Sequence, residues 1–289
     1  MNIKKAVFPV AGFGTRFLPA TKATPKEMLP IVDKPLIQYA VEEAAKIGVE
    51  EFIFITHHAK SAIDKHFKHN ENLYETLIKQ GKQDLADSIK DIGGANAKFI
   101  SVDQGEPKGL GHAIGCASDL IEEGEFFAVI LADDLIFSEG PNVLEQMRDQ
   151  AEKYNKQVLA LEKIPQKDIS KFGVVNPNST DGRISHLSGI VEKPSAADAP
   201  SDLAVVGRYI FKKDIFLHID NDNVGKNGEI QITDAIMSNI EDFVGYEFHG
   251  ERFDCGSKIG YLKANIAYGL QSHELKDELS SYLGDIKNL

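Results

Sequence analysis

The sequence is poor in cysteine and has no long apolar run. Its 289 residues include two cysteines, Cys116 and Cys255, which form neither a CxxC pair nor a disulfide framework. The longest strongly apolar stretch, residues 126–132, has seven residues, whereas a membrane-spanning helix needs about 20. We therefore expect no membrane span, a reducing compartment and a cytoplasmic location.

Basic residues are in the minority. The chain has 32 Lys and Arg against 44 Asp and Glu, which gives a formal net charge of -12. Such a charge repels polyanions, and this argues against a general nucleic-acid binder or a protein of anionic membrane surfaces. With 42% hydrophobic residues the chain is long enough to bury a full core, so a disordered protein is excluded.

Several common catalytic signatures are absent. Gly12 and Gly14 follow the first predicted strand, but a GxGxxG dinucleotide loop would need glycine at Phe17. No GxxxxGK[ST], HExxH or GxSxG sequence occurs. A dinucleotide-binding loop, a P-loop, a zinc protease and a hydrolase of the nucleophile-elbow type are therefore not supported.

Strand-like and helix-like segments alternate through the first half of the chain. This pattern predicts an α/β fold with a Rossmann-like, mixed but mainly parallel sheet and helices on both faces. The predicted strands are residues 3–9, 51–56, 98–102 and 126–131, and the predicted helices are 35–47, 61–92, 111–121 and 141–154. Later β-branched runs at 158–161, 173–176, 184–191 and 203–211 predict an added antiparallel β layer, followed by helices at 230–240 and 259–267.

A glycine loop after the first strand is the strongest sign of a binding site. Glycines allow backbone N–H groups to approach an anion closely. The first 26 residues contain no carboxylate and five cations, namely Lys4, Lys5, Arg16, Lys22 and Lys26. A local positive field of this kind favours a polyphosphate. A plain tight turn and a solvated basic face remain as alternatives.

The run GFGTRFLPATKATPKEMLPIVDKPLIQY, residues 12–39, closely resembles the nucleotidyltransferases that join a nucleoside triphosphate to a sugar 1-phosphate. Further matching segments are QGEPKGLGHA (104–113), LADD (131–134), KFG (171–173), VEKP (191–194), VVGRY (205–209), GEIQITDA (228–235) and RFDCG (252–256). The resemblance implies one GT-A-like nucleotidyltransferase domain over 1–289. Residues 1–140 would mainly bind the nucleotide, 141–260 would mainly bind the sugar phosphate and form the added β layer, and 261–289 would form C-terminal helices.

The match is most detailed with family members that use UTP and glucose 1-phosphate. It therefore implies Mg²⁺-dependent uridylyl transfer that gives UDP-glucose and pyrophosphate. Transfer from dTTP or ATP to a sugar 1-phosphate is the alternative within the same chemistry. A sugar-nucleotide-binding regulator without turnover is the alternative from another class.

The resemblance also assigns residues to roles. The implied catalytic residues are Arg16, Lys26 and Lys193. The implied nucleotide-binding residues are Ala11, Gly12, Gly14, Thr15, Glu27, Gln104, Gly109 and Asp133. The implied sugar-phosphate-binding residues are Gly173, Glu192, Lys193, Val206 and Gly207. From the residues alone, Glu27 could equally be a surface carboxylate, and Glu192 with Lys193 an exposed ion pair.

Asp133 follows an apolar strand, which places it at the carboxyl edge of the sheet, where open α/β folds bind their ligands. A carboxylate there suits Mg²⁺, which takes one or two carboxylates together with phosphate and water oxygens. The resemblance supplies Asp254 as the second metal ligand. The family commonly has Pro at Ala132, and the doubled carboxylate leaves Asp134 as a competing ligand, although position relative to the strand favours Asp133.

The C-terminal segment carries an apolar stripe at helical spacing. Its members are Leu275, Leu279, Tyr282, Leu283 and Ile286. The stripe must be covered, either by its own chain or by a neighbouring subunit. The resemblance favours the second, as a homodimer or homotetramer.

Overall fold

The computed structural model describes residues 1–57, 61–220, 225 and 228–286. The strands are β1 (Lys5–Pro9), β2 (Pro30–Ile31), β3 (Lys34–Pro35), β4 (Glu51–Thr56), β5 (Lys98–Asp103), β6 (Phe126–Ile130), β7 (Asp134–Phe137), β8 (Gln157–Lys163), β9 (Gly173–Asp181), β10 (Ile184–Glu192), β11 (Leu203–Lys212), β12 (Phe243–Glu247) and β13 (Glu251–Asp254). The helices are α1 (Leu36–Lys46), α2 (Ser61–Phe67), α3 (Glu71–Lys79), α4 (Gln83–Ser88), α5 (Leu110–Gly115), α6 (Val143–Tyr154), α7 (Ile232–Ser238), α8 (Lys258–Gln271) and α9 (Lys276–Ile286).

Nine of these strands form the central sheet, in the order β5-β4-β1-β6-β11-β8-β12-β10-β9. Strands β5, β4, β1 and β6 run parallel to one another. From β11 onward the pairs are antiparallel, except that β12 runs parallel to β8. The predicted mixed α/β fold is confirmed, and the extra antiparallel strands extend the same sheet.

Alternate residues of the central strands pack on opposite faces of the sheet, as the period of two requires. On β1, Ala6 and Phe8 join the apolar cluster under α1 and α6, whereas Val7 joins the cluster under α5 and α7. Because helices cover both faces, the strands read as continuous apolar runs in the sequence. The carboxyl ends of the parallel strands β5, β4, β1 and β6 lie at the same edge of the sheet.

Two of the predicted helices are wrong in length, because the structure divides each of them into shorter elements. The segment 61–92 forms three short helices, because the Asn70 side chain accepts a hydrogen bond from the Leu73 N–H and starts a new helix, and Gly81 has a positive φ of 72° just after α3. The segment 111–121 divides into α5 and one separate turn, Ser118–Leu120. None of the helices in the described ranges combines the length and apolar character that a bilayer crossing requires.

The sequence prediction also missed a two-stranded sheet of β7 and β13. Its antiparallel register places Asp254 opposite Asp134 and Phe253 opposite Leu135. The pairing brings the turn after β13 beside the end of β6, although the two segments lie far apart in the sequence. This is the arrangement on which the candidate site depends.

Candidate active site

A cavity of 340 Å³ opens between the two halves of the chain, at the carboxyl end of β6. Its wall includes eight of the residues that the sequence assigned to the site, namely Arg16, Asp133, Gly173, Glu192, Lys193, Val206, Gly207 and Asp254. The structure therefore brings the implied metal ligands and the implied sugar-phosphate residues into one cavity.

The glycine loop lies directly on the stem of Lys26. Gly14 has a φ of 63°, and a Cβ there would lie 2.9 Å from the Cβ of Lys26, so a larger residue would be both strained and crowded. The Thr21 hydroxyl donates to the Gly14 carbonyl at 2.8 Å and fixes the loop. Ala11 is buried, at 4% exposure, beneath the loop. Arg16 forms part of the cavity wall, whereas Ala11, Gly12, Gly14 and Thr15 lie in the loop before it and are not in the wall.

Lys26 reaches from this loop to the end of β6. Its Nζ lies 2.5 Å from Oδ2 of Asp133. Burial by itself would lower the pKa of Lys26, but the carboxylates of Asp133 and Glu27 raise it above its usual value. Burial likewise opposes ionisation of Asp133, but the Lys26 ammonium holds the pKa of Asp133 below its usual range. Both groups are therefore charged at neutral pH.

Carboxylate oxygens of Asp133 and Asp254 both lie beside Gly256, whose N–H donates to Oδ1 of Asp254 at 3.0 Å. A Cβ at Gly256 would lie 3.0 Å from Oδ2 of Asp133 and 3.0 Å from Oδ1 of Asp254. The Cys255 N–H donates to the Asp133 carbonyl at 2.7 Å, which holds the turn after β13 in place. Arg16 donates to the Gly256 carbonyl at 3.4 Å.

This donor set fits a hard divalent cation. Mg²⁺ takes one or two carboxylates when phosphate and water oxygens complete its shell, and Asp133 and Asp254 supply two from separate elements. No group of three His, Cys, Asp or Glu side chains within the described residues makes an all-protein metal cage. Asp133 and Asp254 are the residues that would hold the ion.

Asp134 is engaged elsewhere. Its Oδ1 accepts a hydrogen bond from Arg252 Nη1 at 2.6 Å, and its Oδ2 accepts one from the Gly207 N–H at 2.9 Å. A Cβ at Gly207 would lie 2.7 Å from this same oxygen, so glycine is required for the approach. The geometry thus favours Asp133 over Asp134 as the carboxylate that faces Asp254.

Gln104 and Gly109 lie together in the loop after β5, as the sequence predicted, although neither is in the wall of the cavity. Gln104 Nε2 is 3.4 Å from the Gly109 carbonyl and 3.2 Å from Nδ1 of His112. A Cβ at Gly109 would lie 2.7 Å from the Ile230 carbonyl, so this loop packs closely on the segment before α7. Leu110 continues from the loop into the cavity wall.

Glu192 and Lys193 line the opposite wall. Lys193 Nζ lies 3.0 Å from Oε1 of Glu192, and the Thr233 hydroxyl donates to Oε2 at 3.1 Å. The adjacent ion pair considered from the sequence is therefore present, but it faces the cavity. Gly173 packs against Thr233 and Glu192, since a Cβ at Gly173 would be 2.9 Å from Thr233 Cγ2 and 3.4 Å from Glu192 Oε2.

One alternative from the sequence is wrong. Glu27 is only 1% exposed, so it is not a surface carboxylate. It lies beside Lys26 and contributes to the raised pKa of that lysine.

Sequence reasoning assigned no role to several residues that support the site. Arg208, 1% exposed, binds both oxygens of Glu43 at 3.0 and 2.8 Å and donates to the Leu131 carbonyl at 3.1 Å. Arg252 binds Asp134 and Glu162. An arginine inside the apolar run of β11 signals a buried cation that needs a partner, but nothing local in the sequence identifies Glu43.

A basic glycine loop, two neighbouring carboxylates and a second cation across the cavity define a class of enzyme that transfers a group between phosphorylated substrates. Comparison with known proteins agrees. The Nucleotidyl transferase family model matches residues 5–270. A UTP-glucose-1-phosphate uridylyltransferase of Bacillus subtilis (strain 168) is 41% identical over 289 residues, covering 99% of this chain and 98% of the relative.

Solved structures give the same result. A UTP-bound UGPase from Acinetobacter baumannii matches with a TM-score of 0.88 and 40% identity, over 97% of this chain and 98% of that one. A UDP-glucose pyrophosphorylase complexed with UDP-glucose matches with a TM-score of 0.84 and 44% identity, over 93% and 100% of the two chains. The chain therefore belongs to the nucleotidyl transferase family, in the group of the UTP-glucose-1-phosphate uridylyltransferases. Enzymes of this family generally use a divalent metal ion.

Proposed function

We propose that the protein transfers the uridylyl group of UTP to glucose 1-phosphate and so forms UDP-glucose and pyrophosphate. The observation that carries this proposal is the shared cavity, in which Arg16, Asp133 and Asp254 face Glu192 and Lys193. Its two walls come from different parts of the chain, as a reaction between two bound substrates requires. The names of the relatives supply the substrate pair.

The reaction is an in-line displacement at phosphorus. A phosphate oxygen of glucose 1-phosphate attacks the α-phosphorus of UTP and forms the new P–O bond. The bond between the α-phosphorus and the bridging oxygen breaks, and pyrophosphate leaves with that electron pair. No covalent enzyme intermediate is required, because such transfers depend on positioning and charge neutralisation.

The cationic side chains supply this charge neutralisation. Lys193 holds the attacking phosphate, while Arg16 and Lys26 stabilise the charge that develops on the triphosphate. Asp133 and Asp254 would hold the divalent ion, which we propose is Mg²⁺; when bound, it neutralises phosphate charge and aligns the oxygens. Lys26 also keeps Asp133 ionised for that role.

The remaining site residues recognise the two substrates. The nucleotide side of the site consists of Ala11, Gly12, Gly14, Thr15 and Glu27. Gln104 and Gly109 contact the uracil base of UTP. A side-chain amide suits this position because it offers a donor and an acceptor to a base edge. Gly173, Glu192, Val206 and Gly207 form the sugar side, where Glu192 accepts hydrogen bonds from glucose hydroxyls.

The test is to incubate the purified protein with Mg²⁺, glucose 1-phosphate and UTP, dTTP, ATP or GTP in turn, and to measure pyrophosphate and nucleotide sugar. We expect equimolar UDP-glucose and pyrophosphate, with UTP used fastest. Lys193→Gln should lose most turnover. The matched control Lys163→Gln alters a lysine that is 63% exposed and pairs with Glu247 outside the cavity, and it should retain activity.

Other outcomes would revise the proposal. Faster use of dTTP or ATP would leave the reaction class standing and change the nucleotide. Binding of UDP-glucose without any release of pyrophosphate would favour the non-catalytic regulator.

The same proposal covers the roles of the successive chain segments and the oligomeric state. Residues 1–140 contribute mainly nucleotide contacts, 141–260 contribute mainly sugar-phosphate contacts, and helices α8 and α9 join the chain to a second copy in a homodimer or homotetramer. Three apolar residues of α8, namely Ile259 (63% exposed), Leu262 (57%) and Ile266 (40%), support this assembly. The pair of free cysteines supports a cytoplasmic location.

A further inference from the structure

We infer that Arg252 is a positioning residue that holds two parts of the site at a fixed distance from each other. One is the carboxylate turn, residues 254–256 at the end of β13, and the other is the sugar-phosphate wall, formed by Gly173, Glu192 and Lys193. This inference rests on the proposed function, because it concerns the alignment of the two substrates. It assigns to Arg252 a role in kcat that acts through its contacts with Asp134 and Glu162.

The Arg252 guanidinium is held on three sides. Its Nη1 lies 2.6 Å from Oδ1 of Asp134, and its Nε lies 2.5 Å from Oε2 of Glu162. Its Cζ lies 5.1 Å from the centre of the Phe172 ring. The side chain is only 9% exposed, so these contacts are shielded from solvent and are stronger than those of a surface pair.

One side of this arrangement is the carboxylate turn. Arg252 and Asp254 are two residues apart on β13, so their side chains leave the same face of the strand. Asp254 lies opposite Asp134 in the β7–β13 register. The hydrogen bond from Arg252 to Asp134 thus connects the two strands immediately next to the proposed metal ligands.

The other side is the sugar-phosphate wall. Glu162 lies on β8, and Phe172 directly precedes Gly173, which packs against Glu192. The second oxygen of Asp134 accepts the hydrogen bond of the Gly207 N–H, which adds β11 to the same network. The guanidinium therefore connects the carboxylate turn directly with the segments of Glu162 and Phe172, and through Asp134 with β11.

Lysine cannot replace arginine in this place. The planar guanidinium presents donors in a fixed fork and stacks on an aromatic ring, whereas an ammonium is a point charge on a flexible stem. The two carboxylates, at Nη1 and Nε, occupy different edges of that fork. The geometry requires the shape of arginine as well as its charge.

Loss of this connection should affect the reaction more than the binding of UTP. The nucleotide contacts we propose come from the glycine loop and the loop of Gln104, which Arg252 does not touch. The in-line attack, however, needs reacting atoms about 3–3.5 Å apart, and a displacement of about 1 Å costs on the order of 10²-fold in rate. We therefore expect a selective fall in kcat.

The test compares Arg252→Ala and Arg252→Lys with wild type and with the control Arg148→Ala, which removes an arginine paired with Asp149 on the surface helix α6. Steady-state kcat and KM are measured for both substrates, and UTP affinity is measured by calorimetry. We expect both Arg252 variants to lose roughly 10- to 100-fold in kcat, with UTP affinity within about threefold of wild type. The control should match wild type.

Chemical rescue separates positioning from a merely structural role. Methylguanidinium added to Arg252→Ala should restore part of kcat, because the vacated space borders the cavity. Methylammonium at the same concentration should not. In a folded Arg252→Ala variant, restoration of kcat by neither compound would overturn the positioning role.

The outcomes distinguish this inference from the proposed function. A wild-type protein that forms no UDP-glucose would overturn the proposed function itself. An active wild type together with wild-type kcat in Arg252→Ala, or full activity in Arg252→Lys, would overturn the inference alone. If Arg252→Ala does not fold, Glu162→Gln tests the same connection while keeping Asp134 paired: a lower kcat with unchanged UTP affinity supports the inference, and wild-type kcat overturns it.

Discussion

Lys26 and Asp133 form a partly buried ion pair across the floor of the site, with 2.5 Å between Nζ and Oδ2. The pair joins the glycine loop, which we assign to the nucleotide, to the carboxylate that we assign to the metal. Each partner favours the charged form of the other. Loss of either charge should therefore disturb both nucleotide binding and metal binding.

The first prediction concerns Asp133→Asn. The change is nearly isosteric, so the fold should persist, but it removes one negative ligand from the proposed Mg²⁺ site and the partner of Lys26. We expect turnover to fall by on the order of 10²-fold, as when a principal charge stabiliser is lost. The measurement is kcat at saturating Mg²⁺, together with a melting curve.

The comparison variant is Asp134→Asn. It weakens the hydrogen bonds to Arg252 and Gly207, so its effect should depend little on Mg²⁺ concentration. If Asp133→Asn kept the wild-type rate and Asp134→Asn required more Mg²⁺, the metal ligand would be Asp134 instead.

The second prediction concerns base selection by Gln104. Gln104 is 7% exposed and contacts both Gly109 and His112, so Gln104→Ala removes the amide that we propose for base recognition and loosens the loop. We expect the preference for UTP over ATP and GTP to decrease, measured as the ratio of kcat/KM values. Gln83→Ala, on the exposed helix α4, is the control and should keep the ratio. Equal use of ATP by the wild type would contradict the uridylyl assignment.

The sequence predicts those parts of the site whose position follows from the strand that directly precedes them in the chain. Asp133 comes just after the apolar strand β6, and the glycine loop with Gly14 comes just after β1, so their place at the sheet edge follows from order along the chain. Arg208 and Glu43 are 165 positions apart, and their pairing exists only because α1 packs near β11. No local pattern could have identified it.

Short elements were missed for a related reason. Strands β7 and β13 have four residues each, and each begins or ends with a charged side chain. Their pairing is stabilised by tertiary contacts of Leu135 and Phe253 in a small apolar cluster with α8. Strand propensity over four residues is too weak a signal to reveal such a pair.

The third prediction concerns the buried pair of Glu43 and Arg208. Glu43→Ala would leave the Arg208 guanidinium, 1% exposed, without its carboxylate partner. A buried charge left in this way costs about 3–5 kcal/mol of stability. Chemical denaturation measures the loss. The control Glu75→Ala breaks an exposed pair with Lys79 on α3 and should cost about 0–1 kcal/mol. Equal losses in the two variants would contradict the role of burial.

The fourth prediction concerns pH and His66. Burial lowers the pKa of His66, although nearby Glu42 partly opposes this, and its Nε2 lies 2.8 Å from Oε1 of Gln38. The folded state therefore favours the neutral imidazole. The unfolded state binds a proton near pH 6.5, so the stability contributed by His66 is present above that pH and decreases as the pH falls below it.

The measurement is the free energy of unfolding of wild type and His66→Gln at pH 7.5 and pH 5. We expect the advantage of the wild type over the variant to be larger at pH 7.5. His273→Gln, in the exposed turn between α8 and α9, is the control and should leave the pH dependence of the wild type intact. An advantage that grew as the pH fell would contradict the prediction.

The last prediction concerns the C-terminal helices, whose apolar stripe divides into two parts. Leu275, Leu279 and Leu283 are half-buried, and a Cβ at Gly269 would lie 2.7 Å from Leu279, so Leu279 packs on α8 of the same chain. Tyr282 and Ile286 remain 62% and 44% exposed. Leu279→Asp with Leu283→Asp should therefore detach α9 and lower the melting temperature.

The outward face of α8 is the better test of assembly. Leu262→Glu with Ile266→Glu changes side chains that are 57% and 40% exposed, so the fold of one subunit should persist. If a second copy covers this face, the variant should have a smaller mass by light scattering and should still bind UTP, because the glycine loop is formed by the other end of the chain. The control Lys263→Glu lies between them on α8 and adds a like charge without removing apolar surface. A double variant that keeps the wild-type mass would place the contact between subunits elsewhere on the molecule.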